Sequence, residues 1–231
     1  MINILIVGAG KGIGLETARL LKDENIFTVS RHATPELDEL ETQFFELDVS
    51  KDDLSELSLP EELHGLVFCP GSINLRPFNR LTEEDFLADF NQNFMGAVRV
   101  IQKCLPALKK SKAASIVLFS TVAAKVGIPF HTSIAASKGA IEGFAKSLAA
   151  ELAAANIRVN VIAPSLSDTS LAAQLLSTEE KRVASAKRHP LQRIGLPEDS
   201  AQLAAFLLSD KSSWMTGQII GLDGGLGNIK L

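Results

Sequence analysis

The first residues able to do chemistry stand in Val7-Gly8-Ala9-Gly10-Lys11-Gly12-Ile13-Gly14, after an apolar run and at the start of a helical pattern. Glycines placed there let the backbone turn tightly and approach a pyrophosphate, whose charge is stabilised by the N-terminus of the next helix. The spacing is GxxxGxG, with Ile13 where a GxGxxG fingerprint would have glycine. A glycine loop alone can be only a turn; its place between strand and helix favours a dinucleotide. The second apolar run ends in Thr28-Val29-Ser30-Arg31-His32, with no acid nearby. A carboxylate usually meets NAD at that point, whereas the 2′-phosphate of NADP needs cations. Arg31 offers a planar fork and Lys11 a point charge, so NADP(H) is expected in preference to NAD(H). The alternative is that both are solvated surface cations.

Other reactive side chains form no such group. His32, His64, His131 and His189 are scattered without metal-ligand spacing, so no metal is expected. Cys69 and Cys104 lie far apart and read as free thiols. The segment His131-Thr132-Ser133-Ile134-Ala135-Ala136-Ser137-Lys138 opens a helical pattern that sets Ile134 and Lys138 on one face, four residues apart. The chain contains no tyrosine.

These residues need a scaffold, and short β-branched runs alternate with helical segments to provide one. Residues 2–7, 26–30, 43–48, 66–69, 115–121, 158–163 and 218–222 read as strands. Helices are expected at about 12–23, 82–105, 134–155, 171–186 and 197–209, with Pro106 ending or kinking the second. Several strands are apolar throughout, as in a parallel sheet covered on both faces. No linker or repeat divides the 231 residues. The expected fold is a single-domain α/β, doubly wound parallel sheet of about seven strands. With 46% apolar and 22% charged residues the composition is that of a soluble globular protein. A net charge of −4 argues against nucleic acid and anionic membranes as partners. Residues 2–7 lack a preceding basic region and read as a strand rather than a signal peptide. No stretch approaches the ~20 apolar residues needed to span a bilayer, so a cytoplasmic location is expected.

The ordered motifs resemble the short-chain dehydrogenase/reductase family in its compact, single-domain form, over nearly the whole chain. Its TGxxxGxG motif is matched by Gly8, Gly12 and Gly14, with Val7 for threonine. Asp48-Val49 resembles the adenine-contacting pair, and Cys69-Pro70-Gly71 occupies the Asn-Asn/Ala-Gly turn with only the glycine kept. Pro164-Ser165-Leu166-Ser167-Asp168-Thr169 resembles the PGxxxT segment over the nicotinamide, with Ser165 for glycine. The sequences around Arg193 and Asp223 complete the pattern.

The resemblance implies cofactor contacts from Gly8, Gly10, Lys11, Gly12, Ile13, Gly14, Ser30 and Arg31. It adds Asp48, Val49, Cys69, Pro70, Gly71, Lys138, Pro164, Ser167 and Thr169. It implies catalytic positions at Asn93, Thr121 (for the usual serine), Ile134 (for the usual tyrosine) and Lys138. Isoleucine should then project into the reaction site, and a positioned general acid is worth ~10²–10⁴ in rate. Either a charge-delocalised substrate takes its proton from water, or His131 or Ser133 donates instead. Against this stand a solvent-facing loop for His131 and a helix N-cap for Ser133. Asn93 could serve only the backbone of a kinked helix.

Two functions follow. One is hydride transfer to or from a small carbonyl, enoyl or similar substrate by an altered proton path. The other is an NADP-binding sensor or scaffold without catalysis. Residues 167–189 read as a lid over a small-molecule substrate, which favours an enzyme. The Ala-rich helix with Gly139 and Gly143 resembles the family's oligomer-forming helix and implies a homodimer or homotetramer.

Overall fold

Ile4, Leu5, Ile6 and Val7 are all buried because strand β1 (Asn3–Val7) is covered on both faces. Leu5 and Val7 enter one core, Ile4 and Ile6 the other. Successive side chains of a strand point to opposite faces, so a run that is apolar throughout is what two-sided burial requires. The same division holds in β4 (Gly65–Phe68), where Leu66 and Phe68 oppose Val67, and in β5 (Ala114–Phe119).

With β2 (Asn25–Ser30), β3 (Gln43–Glu46), β6 (Ile157–Pro164) and β7 (Ile219–Leu222), these strands form one parallel sheet. This computed structural model describes residues 1–230, and its strand order is β3-β2-β1-β4-β5-β6-β7. Helices α1 (Gly12–Leu20) and α7 (Pro197–Leu208) cover one face. Helices α4 (Gly96–Lys110) and α5 (Thr132–Leu152) cover the other. Short α2 (Pro35–Asp38) adds the buried Leu37 to the α1/α7 side, α3 (Glu83–Phe90) packs against α5, and α6 (Glu179–Lys187) has no buried residue. The chain winds outward from β1 to β3 and then returns to β4 on β1's other side. The switch point is therefore the crevice beyond the carboxyl ends of β1 and β4.

Two expected helices differ. The segment 82–105 is not continuous: α3 is followed by a π-helical turn, Asn91–Met95, and only then by α4. Such single-turn bulges insert a residue into the helical ladder. Pro106 does not end α4, which runs on to Lys110 with Ala107 and Leu108 buried in the core. Core packing outweighs the one lost backbone bond. The segment 171–186 is a 3₁₀ turn (Ser170–Ala172) and a separate α6, begun by Thr178, whose hydroxyl accepts from the Lys181 N–H. No helix of the described residues is long and apolar enough to cross a membrane.

Candidate active site

The glycine loop is shaped by contacts that a side chain would fill. Gly8 has φ +82° and its N–H donates to Val29 O at 2.7 Å, locking the loop against β2. A Cβ on Gly14 would lie 2.3 Å from Gly8 O, so the start of α1 can cross the loop this closely only as glycine. Lys11, at the N-cap, is extended and gives no side-chain cap, and no acidic residue lies in the first turn. The first N–H groups of α1 are thus left for an anion.

A cavity of about 310 Å³ opens there, bounded by the loop, Ser30 and Arg31 after β2, and Asp48 and Val49 after β3. Cys69, Pro70 and Gly71 after β4 close another side, and Thr169 and Leu171 after β6 cover it. Among the expected cofactor residues, Lys138, Pro164 and Ser167 do not line it. Pro164 ends β6 opposite Leu222, and Ser167 bridges to Gly195. Lys11 and Arg31 are exposed, and among the described residues neither makes a salt bridge. Burial would raise the Asp48 carboxyl, but Ser50 hydrogen bonds and the Lys51 and Arg31 charges hold it below the usual range. Polar lining residues that the sequence did not assign to the cofactor include Gln92, and Thr34, whose hydroxyl donates to Gly10 O at 3.0 Å.

Asn93 and Lys138 sit behind Gly71. A methyl group on Gly71 would lie 3.5 Å from Asn93 Oδ1 and 3.7 Å from Lys138 Nζ, so the two polar atoms converge there. Lys138 is only 6% exposed, and its ammonium donates to Phe119 O at 2.9 Å. Burial pushes its pKa down to about 8, against the opposing influence of Cys69 and Asp89. Burial also pushes the Cys69 thiol up to about 12, so the turn carries a neutral thiol. Ile134 is buried beside Lys138 on α5 and does not line the cavity. Thr121 is half-buried and caps the 3₁₀ turn Val122–Ala124 by accepting from the Ala123 N–H at 3.3 Å. Its neighbour Ser120 donates to Glu142 at 2.6 Å.

The two alternative proton donors are engaged elsewhere. His131 Nδ1 lies 2.7 Å from Pro129 O, and since a carbonyl only accepts, that nitrogen carries its proton there. Ser133 is not the helix N-cap, a position held by His131 without a side-chain cap. It is buried and donates to Asp89 Oδ2 at 2.6 Å. Asp89 also accepts from Ser72 Oγ at 2.5 Å. Asn93 Nδ2 donates to Asp89 O at 2.7 Å and to Ser72 Oγ at 2.9 Å. Asn93 thus does satisfy the backbone at the π-helical bulge, while its Oδ1 stays buried without a partner among the described residues. Asp89 and Ser72 were missed in the sequence, although Asp89 lies four residues before Asn93, the spacing of helix neighbours.

The segment over the cavity is pinned at two points. Arg182 of α6 grips Asp168 in a forked pair at 2.6 and 3.0 Å. His189, with Nδ1 2.9 Å from Ser185 O, receives the Ser165 hydroxyl at Nε2, 2.8 Å away. No group of three or more His, Cys, Asp or Glu among the described residues could hold a metal.

This sheet and loop place the chain in a family of nicotinamide-dependent enzymes. The family described as Enoyl-(Acyl carrier protein) reductase matches residues 8–227. The chain is 36% identical to the 3-oxoacyl-[acyl-carrier-protein] reductase FabG of Thermotoga maritima, covering 96% of each protein. It superposes on a short-chain type dehydrogenase/reductase from Mycobacterium ulcerans with a TM-score of 0.88 at 29% identity, over 98% and 90% of the two chains. ElxO, solved with NADP bound, gives 0.87 at 26% identity, over 97% and 98%. The chain belongs to the short-chain dehydrogenase/reductase family.

Proposed function

We propose that this protein is an NADP(H)-dependent oxidoreductase acting on a small carbonyl, enoyl or similar substrate by a proton path that uses no phenol. The observation carrying this reading is the glycine cradle, flanked by Lys11 and Arg31 and leading past Gly71 to the buried Lys138. A bound nicotinamide cofactor supplies or accepts the hydride. The open N-terminus of α1 suits its pyrophosphate, and Arg31 with Lys11 suits a 2′-phosphate. ElxO's bound NADP supports the same choice. Pro164, Ser167 and Thr169 would border the nicotinamide, and residues 167–189 would form the substrate lid.

Lys138 is mostly an ammonium at neutral pH, with a pKa of about 8. Phe119 O takes one of its three N–H bonds, leaving donors for a ribose hydroxyl or a developing oxyanion. Ile134 stands in the place of the family's tyrosine, where its apolar side chain can exclude water but transfer no proton. A substrate that spreads its charge, with Thr121 and Lys138 stabilising it, fits such a site better than a simple ketone. The names of the family and of the Thermotoga relative make enoyl and 3-oxoacyl thioesters the first substrates to test. A homodimer or homotetramer is part of this reading.

NADPH should bind at least ~10-fold more tightly than NADH, and Arg31→Ala should remove most of that difference, since a charge-assisted pair is worth roughly 1.5–3 kcal/mol. Turnover of an enoyl or activated carbonyl thioester should require Lys138. Equal affinity for the two cofactors would reject the NADP assignment. NADPH bound but never oxidised by any of these substrates would favour the second reading, a non-catalytic sensor or scaffold. That reading is motivated by Ile134, Ser165 and the Cys69-Pro70 turn. Ile134→Tyr separates the cases, because a competent site should gain ~10²–10⁴ in carbonyl reduction.

A further inference from the structure

Asn93 is the one side chain near Lys138 that has two chemically opposite ends, and the direction it faces decides what the site can bind. An amide turned one way presents an oxygen; turned the other way it presents two N–H groups. Its surroundings fix the choice. The hydroxyl of Ser72 has a single proton, and the carboxylate of Asp89 can only accept, so that proton is committed to Asp89 Oδ1. Ser72 is therefore left as an acceptor toward Asn93, as is Asp89 O. Both N–H groups of Asn93 find acceptors on that side, and the oxygen is forced to face Gly71 and Lys138.

We propose that Asp89 and Ser72 are positioning residues that orient the Asn93 amide so that its Oδ1 is offered as a buried acceptor beside Lys138. Asp89 is well placed for this. It is buried on α3, and its other carboxylate oxygen is held by Ser133 on α5, so it cannot swing away from Ser72. The unpaired Oδ1 is the expected signature of an acceptor kept for a ligand, since a buried carbonyl oxygen left alone is costly to the fold. The ligand it fits is an O–H or N–H donor entering by Gly71, shared with the Lys138 ammonium. The catalytic meaning of this orientation rests on the proposed nicotinamide site; the orientation itself does not.

The test uses full-length protein without cofactor, labelled so that the Asn93 side-chain amide and the lysine Cε signals are followed by NMR. In the parent, the two Nδ2 protons should exchange slowly and Lys138 should titrate near 8. The titratable groups facing Lys138 are Cys69 and Asp89, both present in Ser72→Ala. Ser72→Ala keeps the carboxylate charge but removes an acceptor, so Asn93 amide exchange should quicken at least ~10-fold and the Lys138 midpoint should fall by about half a unit. Asp89→Asn can turn an N–H toward Ser72 and free the hydroxyl proton to point at Asn93, so amide exchange should quicken here too, while the lost charge also lowers the Lys138 midpoint. Exchange that stays slow in both variants overturns the proposal. NADPH binding measured in parallel separates the two readings, since failure to bind cofactor would remove the proposed function and leave the NMR outcome standing.

Discussion

Lys138 carries the sharpest residue-scale prediction. Burial lowers its pKa from the ordinary 10.5 to about 8, so the folded chain holds this proton less firmly than the unfolded chain. Between those two values the unfolded state binds more protons, and stability rises with pH. Below about 8 the buried ammonium costs the fold its full penalty, about 3 kcal/mol at 1.36 kcal/mol per unit. Lys138→Met should therefore be more stable than the parent at pH 7, with the advantage shrinking toward pH 10.5. Urea unfolding at five or six pH values measures this, and a pH-independent difference would contradict the buried ammonium. If the same ammonium acts as a donor in reduction, the rate should decline above about pH 8 with the slope of one proton.

At the scale of elements, the sequence revealed most of what regular packing dictates. Two-sided apolar strands and the loop between β1 and α1 are local patterns, readable from residue types alone. What it hid was decided by long-range partners. Asp89 looks like one more acid of a polar helix until α5 brings Ser133 to one oxygen and the turn after β4 brings Ser72 to the other. Ser133 likewise reads as a cap, but its helix begins two residues earlier than expected, at Thr132 with His131 at the cap, and its hydroxyl turns inward. The π-helical turn Asn91–Met95 follows no propensity rule; it brings Asn93 under Gly71. Glycines in the loop are not equivalent, and this gives a second prediction. Gly14→Ala should cost about 1–3 kcal/mol and abolish tight NADPH binding, because its methyl would strike Gly8 O at 2.3 Å. Gly12→Ala meets nothing closer than 3.4 Å and should cost only the ~1–2 kcal/mol of a left-handed φ. Thermal unfolding and fluorescence titration of both variants would rank them, and equal losses would count against the close crossing of α1.

For the molecule as a whole, α5 presents an outer surface of small residues. Methyl groups on Gly139 and Gly143 would meet nothing within 4 Å, so this side is smooth enough for another helix to approach. If a dimer or tetramer uses it, Gly143→Arg should leave the fold and its unfolding midpoint intact while converting the assembly to monomers. Light scattering at micromolar concentration decides; a parent that is already monomeric ends the proposal. The two pins on the segment after β6 act on a different quantity, time. Asp168–Arg182 and Ser165–His189 hold its ends, while Thr169 and Leu171 between them cover the cavity. Entry and exit of any occupant must then wait for a latch to part, which makes the latch a clock for residence. Arg182→Ala should shorten that interval, so that stopped-flow mixing shows NADPH both arriving and departing faster. Added salt, which screens exposed charges, acts on the Lys11 and Arg31 contacts in both proteins but on the latch only in the parent, so it should quicken NADPH departure more in the parent than in the variant.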